Sequence, residues 1–296
     1  MGTSLTTTGD LVRGRAHYDE AMLLCDSAER PSLTTRFGQA VRVSVLTDRS
    51  VGMWMLGYPD AALADSETAL EETRESAHAS ATLYTLFLTS LMKVFRGDYA
   101  QANSQLKEFA TLGDAKSALF WSAHARLLRA SLLAVTAESL DAIRTIKIEL
   151  TSLRSTGATN FAPLYLGYLA VAYSELGQFG EAQHAIDEAT RAMETTGERW
   201  WEAHLYRVAG EISLKSPEPA TAIAETYFAR ALSIAQQQQA KSWELRASMS
   251  LARLWRDQGK VQQARELLAP VYGWFTEGFD TLDLKEAKAL LEELAA

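Results

Sequence analysis

The chain has 296 residues, 47% of them hydrophobic, and a net charge of -8. That acidity excludes a global basic field able to hold a nucleic acid backbone. The single cysteine, Cys25, excludes an internal disulfide or a multi-cysteine metal site and fits a reducing, cytoplasmic setting.

Residues 1–10 are rich in Thr and Gly and predict a frayed start. Residues 16–29 predict a lone helix with Ala21, Leu24, Cys25 and Ala28 on one face. Residues 1–35 thus read as a frayed start and a partial repeat, as if the chain began inside a unit of a longer protein. Over 36–296 the apolar periodicity is helical throughout, and six helix pairs follow in order. They are 40–56 with 60–76, 79–96 with 99–112, 116–135 with 138–155, 161–176 with 179–195, 199–214 with 220–238, and 242–258 with 261–275. The corresponding units run over about 40–77, 78–113, 116–157, 160–197, 198–240 and 241–276, and a capping helix over 282–294 closes the array. No stretch alternates as a strand does, and no apolar run approaches the roughly 18 residues of a membrane helix.

The pairs are copies of one another. An alanine opens the apolar stripe of each second helix at Ala62, Ala102, Ala142, Ala182, Ala224 and Ala264, in steps of 40, 40, 40, 42 and 40 residues. Five residues earlier stands Gly57, Gly97, Gly177 or Gly259, with Ala137 and Pro219 in the other two units. Each first helix carries a small residue at a matched place: Ser50, Ser90, Ala130, Ala170, Gly210 and Ala252. A small side chain there admits a close antiparallel partner. Gly113, Gly157 and Gly197 fall where second helices should end, as left-handed caps do. A regular period of this kind means stacked helix-turn-helix units, each contacting its neighbours.

The turn and second-helix start in Gly97-Asp-Tyr-Ala-Gln-Ala102 and Gly177-Gln-Phe-Gly-Glu-Ala182 resemble those of a tetratricopeptide repeat, with a period longer than the usual ~34 residues. The resemblance implies an all-α, tetratricopeptide-like solenoid, a right-handed superhelix of about six helix pairs. Trp54–Leu63, Gly197–His204 and Ser250–Lys260 running into Leu268–Asp280 further resemble the C-terminal repeat region of bacterial adenylate/guanylate cyclase and AAA/STAND ATPase signalling proteins. Such a parent would be an enzyme or a transcriptional regulator, with this region sensing an effector. The phosphate-binding Gly-x-x-x-x-Gly-Lys-Ser/Thr is absent, and the cyclase carboxylates sit on strands, so this chain is expected to be non-catalytic and to hold no cofactor.

No constellation of chemistry competes with that expectation. His17, His78, His124, His184 and His204 are dispersed by the repeat spacing and share no metal site. Cys25 lies on an apolar stripe and reads as a small hydrophobe. Trp200 and Trp201 fit either packing against the preceding unit or a binding role.

The resemblance implies that first helices line a concave groove. Its N-terminal half would offer Tyr84, Phe87, Leu91, His124 and Leu127, and its C-terminal half Arg207, Glu211, Lys215, Arg246, Met249, Arg253 and Arg256. Such a groove would hold a protein or peptide segment, or a sibling domain, with an apolar end and an acidic end, since guanidinium forks clamp carboxylates. The alternative is that these arginines pair with acids on neighbouring helices, such as Glu202, Glu244 and Asp257.

Overall fold

The structure, a computed structural model, describes residues 1–27, 41–76, 78–136 and 138–295. Among them lie fifteen helices and no strand. Two helices open the chain, α1 (Gly2–Thr7) and α2 (Leu11–Ser27). The pairs follow: α3 (Val41–Met55) with α4 (Pro59–Ser76), α5 (Ala79–Arg96) with α6 (Tyr99–Ala115), and α7 (Leu119–Val135) with α8 (Ser139–Ser155). Then come α9 (Ala162–Glu175) with α10 (Phe179–Thr196), α11 (Glu202–Lys215) with α12 (Thr221–Gln237), and α13 (Lys241–Asp257) with α14 (Val261–Gly273). The last helix, α15 (Leu282–Glu293), packs on α13 and α14 as a further first helix would.

The turn chemistry explains the period. Gly97 has φ 88°, a left-handed conformation that a side chain would strain, and it ends α5. Its N–H donates to Val94 O, and the next N–H, of Asp98, donates to Lys93 O at 3.0 Å. This double bond pattern is a Schellman cap. Gly57, Gly177 and Gly259 repeat it, with Tyr58 N to Met53 O, Gln178 N to Tyr173 O and Lys260 N to Trp255 O at 2.9, 2.9 and 2.8 Å. Ala137 lies outside the described residues. Between α11 and α12 the prolines lack the N–H such a cap requires, and the turn is longer.

The alanines Ala62, Ala102, Ala142, Ala182, Ala224 and Ala264 are all fully buried, at 0% exposure. Ser50, Ser90, Ala130, Ala170 and Ala252 are buried to the same degree on the facing helices. At Gly210 the close approach is visible directly, because an added Cβ would stand 2.5 Å from the Phe228 ring.

Gly113 does not cap a helix. It is buried inside α6, where its missing side chain lets the backbone of Ser122 come close, and the left-handed residue of that turn is Ser117 at φ 51°. The face of α2 is also shifted. Met22 and Cys25 point inward whereas Leu24 is exposed, because α3 packs on the side of Tyr18 and Met22. Ala28 lies outside the described residues. The polar start forms α1 rather than a frayed strand of chain. Thr7 O accepts Arg199 N at 2.8 Å, and Gly2 allows the Tyr18 ring against the backbone.

The array also closes on itself. Units at its two ends touch as well as sequence neighbours. Trp54 at the end of α3 meets Trp243 on α13, the Ser242 hydroxyl donates to Trp54 O, and Arg246 donates to Phe95 O. Beyond α14, Glu277 Oε1 accepts the amides of Asp60 and Ala61 at 2.9 and 3.0 Å, occupying the N-terminus of α4. The superhelix axis is filled with aromatic rings in series: Phe109, Phe87, Phe161, Trp200, Phe95, Trp54, Trp243, His204, Trp201 and Tyr168.

Candidate binding site

Closure sorts the groove positions into two sets. Phe87, Leu91, His124 and Leu127 are buried at 2% exposure or less, inside the aromatic axis. His124 Nδ1 pairs with the Tyr165 hydroxyl at 2.7 Å, and burial pushes its pKa down to about 3, so the ring is neutral near pH 7. Tyr84 lies at the edge of this set and donates its hydroxyl to Asp48.

The arginines of the second set keep solvent contact, whereas Met249 between them is buried. Arg207, Arg246, Met249 and Arg253 surround one concavity of about 170 Å³, together with Tyr99, Tyr168, His204, Asp283 and Glu286. Arg246 is the innermost. Its guanidinium lies 5.0 Å from the Trp54 ring and 5.2 Å from the Trp243 ring, and it binds Asp283 through Nε at 2.8 Å. Asp283 is nevertheless raised above the usual carboxylate range, by burial first and against the pull of Arg246.

Farther out, Arg207 pairs with Glu211, which also accepts Ser250 Oγ at 3.0 Å. Arg253 meets Glu286 at 2.9 Å, Lys215 meets Glu175, and Arg256 meets Asp257 and Glu293. The partners are therefore mostly acids of the next first helix and of α11 itself. Glu202 and Glu244 instead pair with Arg199 and Lys241. Lys215 and Arg256 do not line the concavity.

Trp200 and Trp201 are buried. Trp201 packs on the preceding unit, where Gly167 leaves room for its ring. Trp200 has a second role, because it walls a half-open cavity of about 250 Å³. Sequence reasoning missed this cavity. Asp48, Val51 and Met55 of α3 face it at helical spacing, as do Tyr84, Leu88 and Leu91 of α5. The available signal was an acid on an otherwise apolar stripe.

Among the described residues no group of three or more His, Cys, Asp or Glu is arranged to hold a metal ion. Cys25 is buried, and His17 turns to Glu20. None of the described helices is long and apolar enough to cross a membrane.

Comparison with known proteins agrees with the architecture. The apo form of RapI aligns over 99% of this chain and 96% of its own, with a TM-score of 0.59 at 12% identity. A Rap protein complexed with competence and sporulation factor aligns over 99% of this chain and 77% of its own, with a TM-score of 0.66 at 13% identity. At such identities the likeness is one of fold, and the fold is an all-helical, tetratricopeptide-like solenoid. No family model matches the chain. An uncharacterized protein of Rhizobium meliloti (strain 1021) is 24% identical over 261 residues, covering 86% of this chain. The chain spans about a quarter of that relative's length, 24%.

Proposed function

We propose that this chain is a non-catalytic interaction scaffold that receives an acidic protein or peptide segment, or a sibling domain of a longer parent, at its basic concavity. The observation that carries this reading is the convergence of Arg207, Arg246 and Arg253 on one hollow. Arg246 is held from behind by two tryptophan rings and Asp283, which pre-orients it. Arg207 and Arg253 are paired with partly exposed acids, Glu211 and Glu286, at 37% and 45% side-chain exposure. Pairs so exposed contribute about 0–1 kcal/mol, so an incoming carboxylate can replace the resident one at little cost. That one structural neighbour was solved in complex with competence and sporulation factor supports reading this fold as one that takes a partner.

The finer reading places the chain as the effector-sensing region of a bacterial signalling protein, in the manner of cyclase- or ATPase-linked regulators. Its match to a quarter of a longer protein supports that reading. On either view the chain turns over neither ATP nor GTP in the presence of manganese.

The test is fluorescence anisotropy with short labelled peptides, acidic, neutral and basic. The acidic set should bind, more weakly as salt rises. Arg207→Glu combined with Arg253→Glu should abolish that binding while leaving the helical circular dichroism unchanged. Equal binding of all three sets, or of the double variant, sinks the proposal.

A further inference from the structure

The pocket walled by Trp200 carries an inference independent of the basic concavity. It lies between α1, α2, α3 and α5 and the turns that contain Asn160–Phe161 and Glu198–Trp200, and it holds about 250 Å³. Two carboxylates, Asp48 and Glu198, reach it from opposite parts of the array. Glu198 is only 7% exposed.

Neither carboxylate has an ion-pair partner within 4 Å among the described residues, although each stands next to an arginine in sequence. Arg49 turns away from the cavity to Asp65 at 2.7 Å and Asp19 at 3.0 Å. Arg199 turns to Glu202 at 3.2 Å. The carboxylates are held by neutral donors instead. Asp48 accepts Thr3 Oγ1 at 2.6 Å and the Tyr84 hydroxyl. Glu198 accepts the Phe161 amide at 3.0 and 3.2 Å on its two oxygens. Burial raises the pKa of both, and the one positive charge that favours ionised Asp48, the Met1 amino group, acts more weakly than those hydrogen bonds. Two carboxylates in a hollow with no ion-pair partner within 4 Å are costly in their ionised form unless a proton or a bound cation supplies the charge.

The rest of the lining specifies the shape of that supply. Trp200, Phe161, Tyr84 and Tyr18 offer aromatic faces and edges, and Val51 and Leu88 an aliphatic floor. Aromatic rings beside carboxylates are the setting in which an organic ammonium is bound, by ion pairing and by cation–π attraction together. A cavity of about 150 Å³ takes a benzene, so this one has room for about ten non-hydrogen atoms. That is a small molecule, not a peptide segment.

We propose that the cavity walled by Asp48, Glu198, Tyr84 and Trp200 is a binding site for a small organic ammonium with a compact apolar body. The amine would lie against the two carboxylates and the body against the aromatic rings. The occupant would also tie α1 and α3 at one end of the array to the turn before α11, strengthening the closure that Thr7 O and Arg199 N already make.

The experiment uses the full chain and three probes of one shape: phenethylamine, phenethyl alcohol and phenylacetate. Isothermal titration calorimetry and thermal shift are read on the wild type, Asp48→Asn, Glu198→Gln and the double variant. Both substitutions are isosteric, and circular dichroism checks that each variant keeps the helical fold. Phenethylamine alone should bind and raise the melting temperature with concentration, and each single variant should weaken it about tenfold or more. Binding by the alcohol or the acid equal to that of the amine overturns the proposal. So does amine binding unchanged in the double variant, or no binding by wild type at about 10 mM. Acidic-peptide binding at Arg207 and Arg253 is read separately, so failure of one site leaves the other standing.

Discussion

Trp54 and Trp243, from opposite ends of the repeat array, meet edge to face with ring centroids 4.7 Å apart. The Arg246 guanidinium covers both rings. This contact turns an open solenoid into a closed one. It is also why the apolar half of the first-helix surface is core, while the basic half keeps a mouth to solvent.

Trp243→Ala should therefore do more than remove a buried side chain. Truncating a buried tryptophan costs about 3–5 kcal/mol. Trp243 is 1% exposed and also donates its indole N–H to Trp200 O at 3.1 Å. The variant should lose stability in that range, gain radius of gyration in small-angle scattering, and exchange amide protons faster around 54–61. A stability loss with no change of dimension would mean that other contacts hold the ring shut.

Arg96 is the corresponding clasp on the other side. Its side chain is 5% exposed and reaches Asp60 at 2.9 Å, Pro59 O at 2.9 Å and Asp280 at 3.1 Å. Arg96→Met should cost about 1.5–3 kcal/mol, the range for hydrogen bonds to a charged group. Asp280→Asn should cost under about 1 kcal/mol, because Asp280 is 73% exposed and its interaction is screened. Equal losses in chemical denaturation would place the clasp in Asp280 rather than in the bonds to Pro59 and Asp60.

What was legible in the sequence is what repeats locally. The glycine turns, the buried alanines and the small residues facing them recur at one spacing, because each solves the same short-range packing problem. Closure is not local. It depends on a small rotation per unit summed over the array, and nothing near Trp54 or Ser242 in sequence announces the other. Asp48 and Glu198 become partners in a cavity only through that sum. Gly113 misled for a related reason: a glycine for close approach and a glycine for a cap look the same until the neighbouring helix is placed.

Close approach makes two glycine substitutions opposite in sign. An added Cβ at Gly167 would stand 2.2 Å from the Trp201 ring, which is buried and cannot swing away. Gly167→Ala should therefore destabilise by about 1–3 kcal/mol, more than the gain of up to ~1 kcal/mol in helix propensity. At Gly180, in the first turn of α10, nothing lies within 4 Å of the added atom. Gly180→Ala should leave stability unchanged or raise it by up to about 1 kcal/mol. Melting temperatures of the two variants check the pair, and a stabilised Gly167→Ala would refute the packing argument.

Protonation of the axis gives the last test. The His124 pKa is lowered to about 3 by burial, and His204 is lowered as well, by burial and then by Arg207 and Arg246. Both rings are neutral when folded, whereas the unfolded chain takes up protons below about pH 6.5. The unfolded state thus binds more protons between about 6.5 and about 3, and stability falls as pH falls through that window. His124 alone contributes a slope approaching about 1.4 kcal/mol per pH unit. Asp48, Glu198 and Asp283 act in the other direction, since their raised pKa values mean that the folded chain holds protons the unfolded one has lost. Comparing wild type with His124→Gln isolates one group from this balance. The variant is expected to be less stable at pH 7 but to lose stability less steeply between pH 6 and 4, by about that slope. Parallel profiles in urea denaturation would show that the folded ring takes up its proton as freely as the unfolded one.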